Sequence, residues 1–435
     1  MIFGALPATG PLLGAVRVPG DKSISHRAVL FAAMADGTSR LAGVLDSADV
    51  RSTLGAVSAL GATVSVAGGG ADGLDVTVAG WGSRGPQEPP GALDCGNSGT
   101  TCRLLMGVLA PWPITVVLDG DESLRKRPMR RVTDPLTSMG ARFDTRDGRL
   151  PVTVHGAPLR ALRYESPVAS AQVKTAVLLA GLGAQGVTTV IEPAPSRDHT
   201  ERLLPAFGVG VTCDAAALSC SVTGPTGLEA SDVAVPADPS SAAFIVGAAL
   251  LVPGSDVILR DVALNPTRTG FLRVLERMCA RVTTTVERAA GAEPTGTVEV
   301  TFSGDLRATT VSPDEAPSLI DEIPLLAVVA CSATGVTRFE GVRELRVKES
   351  DRLEAIAEGL GALGATVRSG DDWLEVEGPT QLHGGTVSSL GDHRLAMAWA
   401  VAALAADAPV EIPLWEAVDV SYPGFASDLA ALVRT

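Results

Sequence analysis

Aromatic side chains are scarce, with nine Phe, five Trp and two Tyr making up 4% of 435 residues. A surface built to stack nucleobases draws on such rings, so this chain is poorly equipped for one, and its core has to be packed from Ala, Val and Leu. Positive charge is the minority sign: 35 Lys and Arg against 49 Asp and Glu give a formal net charge of −14. That balance argues against a nucleic-acid partner. The longest basic run is Arg125-Lys126-Arg127, with Arg130 and Arg131 just beyond, and such a run by itself reads as a solvated face. An acidic chain still binds anions when its few cations converge on one cleft.

The six cysteines (Cys95, Cys102, Cys213, Cys220, Cys279, Cys331) contain no C-x-x-C pair and no alternation with His. Free, mostly buried thiols in a reducing compartment are therefore expected. No apolar run is long and unbroken enough to span a bilayer. The opening Met1-Ile2-Phe3-Gly4-Ala5-Leu6 lacks the charged-then-apolar plan of a signal peptide. The expectation is a soluble, cytoplasmic protein without a membrane partner.

A chain of this length exceeds what one hydrophobic core usually supports, so two domains are expected. A repeat with a period of roughly 70–80 residues organises it. One kind of segment starts polar and turns apolar nearly all round: Ser23–Ala35, Asn97–Ala110, Ser170–Ala184, Ser240–Val252, Ile320–Ala333 and Asp392–Ala406. Helices of that pattern are buried. The second kind is amphipathic: Ala48–Leu60, Val132–Met139, His199–Phe207, Thr267–Cys279, Ser350–Leu363 and Tyr422–Val433. Most of these end on Gly or Ala and run into a strand-like stretch, with Gly as a C-cap signal. Short β-branched runs such as Leu74–Val78, Ile114–Leu118, Val187–Ile191 and Val257–Leu259 lie between helices.

The pattern predicts an α/β fold of two domains, each of three repeated βαβαββ-like units around buried parallel helices. Residues 22–235 form one domain, and residues 1–21 with 236–435 form the second, with a cleft and hinge between them. An early strand at Val16–Pro19 would pair with the second half and make the connection a double crossover.

The unusual residues gather where the apolar helices begin: Asp21 to Arg27, Gly96 to Arg103, Ser170 to Lys174, Asp238-Pro239-Ser240-Ser241, Asp321-Glu322 and Asp392-His393-Arg394. Helix N-termini offer free N–H groups and the positive end of the macrodipole. Capping explains Ser, Asn or Asp at any one start. It does not explain Lys and Arg at the positive end of a buried helix, where they are costly unless an anion compensates. Several such ends facing one cleft would bind phosphates and carboxylates.

The segment Pro19-Gly20-Asp21-Lys22-Ser23-Ile24-Ser25-His26-Arg27 closely resembles the opening signature of the 5-enolpyruvylshikimate-3-phosphate synthase family. The resemblance extends over essentially the whole chain. It takes in Gly96-Asn97-Ser98-Gly99-Thr100, Lys126-Arg127-Pro128-Met129, Ser170-Ala171-Gln172 and the run Ser196 to Arg202. Asp321-Glu322-Ile323-Pro324, the run Arg346 to Arg352 and Gly391-Asp392-His393-Arg394 complete it. It implies two domains of three similar units closing around the substrates, and a reaction needing no metal and no organic cofactor. In that reaction the 5-hydroxyl of shikimate 3-phosphate adds to C2 of phosphoenolpyruvate while C3 is protonated. The tetrahedral ketal then loses phosphate as C3 is deprotonated.

By resemblance, Lys22 lies between both substrates. Ser23, Arg27, Ser170, Gln172, Ser196, Asp321 and Lys348 serve shikimate 3-phosphate. Gly99, an arginine of the 125–127 run, Gln172, Arg352 and Arg394 serve phosphoenolpyruvate. Arg127 is favoured over Arg125 because it sits in the Lys-Arg-Pro-Met match. Asn97, Arg125 and His393 are supporting candidates, His393 being as readily structural. Asp321 is by default an N-cap, and the resemblance makes it the group that binds and deprotonates the hydroxyl. Glu349 beside Lys348 is by default a surface ion pair; the resemblance makes it the group that exchanges the C3 proton.

Ala171, His199, Glu344 and Val420 depart from the better-known bacterial pattern and put fine contacts to shikimate 3-phosphate, and one cation at phosphoenolpyruvate, in question. Gly99, lacking a side chain, leaves room for the phosphonate inhibitor glyphosate. Three other readings compete. Enolpyruvyl transfer to a UDP-linked sugar usually goes with a cysteine in a mobile loop, and the loop candidate here, Asp119–Met129, has none. A non-catalytic anion-binding protein on the same scaffold would lack Lys22, Asp321 or Glu349. An RNA-end-processing enzyme is disfavoured by charge and aromatic content. Nothing demands an interface, so a monomer is the default.

Overall fold

The computed structural model describes residues 1–69, 73–288 and 293–433. The chain divides into two compact units: Gly20–Val235 with Ala290–Glu293, and Met1–Pro19 with Pro236–Ala289 and Pro294–Thr435. Each has its own continuous apolar core, drawn mainly from Ala, Val, Leu and Ile.

The unit around Gly20–Val235 holds α1 (Lys22–Met34), α2 (Ala48–Ala59), α3 (Gly99–Leu109), α4 (Glu122–Lys126), α5 (Arg130–Met139), α6 (Ala171–Gly181) and α7 (His199–Leu203). The other holds α8 (Pro239–Leu251), α9 (Gly270–Arg277), α10 (Ile323–Ala330), α11 (Arg352–Ala362), α12 (His393–Leu404) and α13 (Phe425–Leu432). The apolar helices α1, α3 and α6, and likewise α8, α10 and α12, are the buried ones. In α8 and α10 every residue is buried. The amphipathic helices, such as α2 and α9, bury one face only, as their period requires.

Each repeat closes on a small mixed sheet. The strand after the buried helix pairs parallel with a short strand on one side and antiparallel with a second strand on the other, a hairpin strand in five repeats and the N-terminal strand Ile2–Ala5 in the last. Thus Thr115–Asp119 lies between Leu93–Asp94 and Arg149–His155, with Arg142–Arg146 outermost. Gly186–Ile191 is flanked in the same way by Arg163–Glu165 and Ser219–Gly224. The predicted α/β repeat is what forms, with most helix ends within a few residues of the sequence reading. The early strand is Leu13–Val16 rather than Val16–Pro19, and it pairs parallel with Asp256–Ala263. Val18 and Pro19 lead out of it toward α1.

Two further expectations are corrected. Cys213 and Cys220 face each other across the antiparallel strands Val211–Asp214 and Ser219–Gly224 and form a disulfide. Only Cys95, Cys102, Cys279 and Cys331 are free, and Cys279 is exposed. The hairpin register brings the two thiols together, and a seven-residue separation alone does not reveal it. The segment Asp119–Met129 is no plain loop, because Asp121 caps α4 within it through the Leu124 N–H at 2.7 Å.

Candidate active site

In each unit the N-terminal ends of the three buried helices meet. In the Gly20–Val235 unit, Asp21, Ser98 and Ser170 cap α1, α3 and α6 by accepting from the N–H of Ile24, Thr101 and Val173. Side chains tie the three ends together. Arg27 donates to Thr175 of α6 at 2.9 Å and to Thr200 of α7 at 2.8 Å. Gln172 at the start of α6 donates to Thr100 of α3 at 3.0 Å and accepts from Arg103 at 2.6 Å. A buried chain of contacts runs from His26 Nδ1 through Thr53 and Thr101 to Ser98, with steps of 2.7, 2.6 and 2.7 Å. His26 is wholly buried, and that burial, with Lys22 and Arg27 nearby, pushes its pKa down to about 3, so the ring is neutral.

Cations line this end. Lys22 pairs with Asp49 at 3.2 Å. Arg127 donates to Asn97 at 2.6 Å and stands beside Gly99, where an added Cβ would lie 3.4 Å from its Nη1. Arg125 points elsewhere. Its side chain is 54% exposed and makes a two-pronged bond to Asp119 at 2.9 and 2.6 Å. Arg27 is buried, its pKa pushed down to about 10 by desolvation, and its named bonds go to Thr175, Thr200 and the Ser23 carbonyl.

In the second unit the meeting point is Asp321. Helix α10 begins at Ile323 with Glu322 at the cap position, and no side chain caps it. Asp321 is turned instead toward cations, with Arg352 at 3.0 Å, Arg394 at 3.6 Å and Lys348 at 3.9 Å. Arg352 is almost fully buried, with Nε on Asp392 at 2.7 Å and Nη2 on Glu349 at 2.6 Å. Burial opposes its charge, but Asp392, Glu349 and Asp321 raise its pKa above the ordinary value. Asp392 caps α12 through the Arg394 N–H at 2.9 Å. Arg394 also reaches Glu322 at 3.5 Å, and Glu322 accepts from Ser240 of α8. The arrangement gathers three cations and several carboxylates around one aspartate, which suits binding an anion and moving a proton.

A family model described as EPSP synthase (3-phosphoshikimate 1-carboxyvinyltransferase) matches residues 6–429. The chain belongs to the EPSP synthase family. Curated EPSP synthase relatives named 3-phosphoshikimate 1-carboxyvinyltransferase include that of Halorhodospira halophila, 50% identical over 97% of this chain and 94% of the relative. That of Shouchella clausii is 47% identical over 98% of this chain and 97% of its own. A solved EPSP synthase from Acinetobacter baumannii superposes with a TM-score of 0.87 at 41% identity, covering 99% of this chain and 98% of that one. The enolpyruvyl transferase NikO from Streptomyces tendae, 20% identical with a TM-score of 0.76 over 99% and 97% of the two chains, shares the fold.

Within this EPSP synthase fold, Lys22, Ser23, Arg27, Asn97, Gly99, Arg127, Ser170, Gln172 and Ser196 all belong to the first unit. Asp321, Lys348, Glu349, Arg352, His393 and Arg394 belong to the second. The sequence reading quoted Arg103 and Lys174 among the unusual residues but gave them no role, though each is a lone cation inside an apolar helix. Arg103 grips Gln172, and Lys174 bridges Glu192 and Glu201 at 2.8 and 2.7 Å. Asp49, Glu192 and Asp392 were missed as partners because nothing along the chain shows which carboxylate meets which cation. Arg197 was passed over beside Ser196, yet its charge is close enough to Arg27 to lower that group's pKa. The departure His199 is buried, with Nδ1 2.6 Å from Glu293.

Proposed function

We propose that the chain transfers the enolpyruvyl group of phosphoenolpyruvate to the 5-hydroxyl of shikimate 3-phosphate, releasing phosphate, as a step of chorismate biosynthesis. Family membership over residues 6–429 supports the reaction class. The observation that supports the residue roles is Asp321, a buried carboxylate surrounded by Lys348, Arg352 and Arg394. Asp321 orients the 5-hydroxyl and takes its proton as the oxygen attacks C2, while Glu349 delivers a proton to C3 and removes one when phosphate departs. Lys22 serves both substrates. Gly99, Arg127, Gln172, Arg352 and Arg394 hold phosphoenolpyruvate. Ser23, Arg27, Ser170, Gln172, Ser196 and Lys348 hold shikimate 3-phosphate. Arginine forks suit carboxylate and phosphate oxygens. The protein works as a cytoplasmic monomer, and size-exclusion chromatography with light scattering checks the monomer.

Phosphate release from purified protein, with each substrate omitted in turn, tests the reaction. Both substrates are required on this reading. Asp321→Ala and Glu349→Ala each lower turnover by about a hundredfold or more; unchanged turnover in either removes that residue's role.

A further inference from the structure

Ser170 and Ser196 lie 26 positions apart in the chain, yet one carboxylate holds both. Glu192 follows the strand Gly186–Ile191. Its Oε1 accepts from the Ser170 backbone N–H at 2.9 Å, and its Oε2 accepts from the Ser196 hydroxyl at 2.8 Å. Lys174 lies 2.8 Å from that same Oε2 and 2.7 Å from Oε1 of Glu201. The three side chains are buried, with 7%, 5% and 7% exposure for Lys174, Glu192 and Glu201. Burial alone would lower the Lys174 pKa, but Glu201 and Glu192 outweigh it, and the net shift is upward, so the ammonium stays charged.

A carboxylate is an odd neighbour for a phosphate site, since like charges repel. Lys174 offsets much of that repulsion, although it shares its charge with Glu201, whose charge also acts on Arg27. Three donors converge on Glu192 (an amide, a hydroxyl and an ammonium), and only a group that accepts on both oxygens satisfies them. The Ser196 hydroxyl has one proton, at present directed to Glu192, and a phosphate dianion has none to offer in return. For Ser196 to serve a phosphate, that proton has to turn.

We infer that Glu192, paired with Lys174, is a positioning residue for the phosphate of shikimate 3-phosphate: it sets the spacing of Ser170 and Ser196 and yields the Ser196 hydroxyl to the phosphate on binding. The inference rests on the proposed function and refines its phosphate contacts. It implies that Glu192 affects the binding of shikimate 3-phosphate and leaves that of shikimate and of phosphoenolpyruvate unchanged.

Binding of shikimate 3-phosphate and of shikimate is measured by calorimetry on wild type, Glu192→Gln and Glu192→Asp. In Glu192→Gln the amide nitrogen faces a donor whichever way it is turned. Its affinity for shikimate 3-phosphate falls about tenfold or more, shikimate binds as in wild type, and KM for phosphoenolpyruvate stays within about twofold at saturating co-substrate. Glu192→Asp, still acceptor-only but one methylene shorter, lies between, and it carries the same comparison if the Gln variant does not fold. An unchanged ratio of the two affinities, or equal loss of both, overturns the role of Glu192. Wild-type protein that neither binds shikimate 3-phosphate nor releases phosphate refutes the functional reading itself, a result separable from the first.

Discussion

Gly99→Ala puts one methyl group where the phosphoenolpyruvate contacts are proposed to converge. A Cβ built there lies 3.0 Å from Arg103 Nη1, 3.4 Å from Arg127 Nη1 and 3.7 Å from Arg103 Cζ. The first two are closer than carbon and nitrogen normally approach, so something must give by a few tenths of an ångström. Arg103 is not free to retreat, because Nη1 is fixed on Gln172 at 2.6 Å and Nη2 reaches the Pro128 carbonyl at 3.4 Å. Its displacement therefore passes to Gln172, whose other end is held by Thr100 at 3.0 Å. Arg127 is pinned by Asn97 at 2.6 Å. Misaligning a charge-assisted hydrogen bond costs about 1–2 kcal/mol, which corresponds to roughly 5–30-fold in affinity. KM for phosphoenolpyruvate is expected to rise by that factor, and KM for shikimate 3-phosphate by less, because Gln172 is the only displaced group that the two substrates share. Glyphosate, which on the sequence reading uses the space left by the missing side chain, is expected to inhibit the variant more weakly. Steady-state phosphate release with each substrate varied, with and without glyphosate, gives all three quantities. An unchanged KM for phosphoenolpyruvate together with equal inhibition would refute the steric reasoning.

Two further expectations concern stability. His26 is neutral in the folded protein, with its pKa lowered from 6.5 to about 3, so its contribution is complete above pH 6.5 and is lost as pH falls toward 3. The loss is about 1.4 kcal/mol per pH unit below 6.5. Urea unfolding at pH 7.5 and pH 5 should show about 2 kcal/mol less pH dependence in His26→Gln than in wild type; parallel curves contradict this. Gly107 lies where α3 crosses α6, and an added Cβ would sit 2.2 Å from the Ala176 carbonyl oxygen and 2.7 Å from its Cα. Gly107→Ala is expected to cost about 1–3 kcal/mol, read as a lower urea midpoint at unchanged slope. An unaltered midpoint would mean that the two helices can part without penalty.

The fold was legible because two periods alternate along the chain. Apolar runs with a polar start became α1, α3, α6, α8, α10 and α12, and amphipathic runs became the helices that bury one face. Boundaries erred where capping is ambiguous: Asp321 and Glu322 both suit a helix start, and only the structure shows that Glu322 takes the cap position while Asp321 faces Arg352 at 3.0 Å. Arg127 was favoured over Arg125 only through the Lys-Arg-Pro-Met resemblance, since side-chain direction is not legible along the chain. Two residues apart at the end of a short helix they point in different directions, one to Asp119 and one to Asn97. The Cys213–Cys220 pair was illegible because it depends on a hairpin register.

Lys and Arg at the positive ends of buried helices were expected to need an anion, and the structure shows where much of that compensation resides without a ligand. Lys22 has Asp49, Lys174 has Glu192 and Glu201, and Arg394 has Asp321 and Glu322, while Arg352, at the start of the amphipathic α11, has Asp321, Glu349 and Asp392. The protein's own carboxylates hold these cations in place while buried, and the helix dipoles strengthen the attraction those carboxylates feel. On the proposed function, a phosphorylated substrate enters by exchange: it takes over donors already aimed at oxygen, and the carboxylate it displaces becomes available for other work. On the proposed function, that work for Glu349 is proton transfer, because a carboxylate locked on Arg352 at 2.6 Å is a poor acid or base until a phosphate takes its position. Binding and chemistry are thereby coupled through one guanidinium, which accounts for an arginine being buried among three carboxylates where burial alone would disfavour its charge.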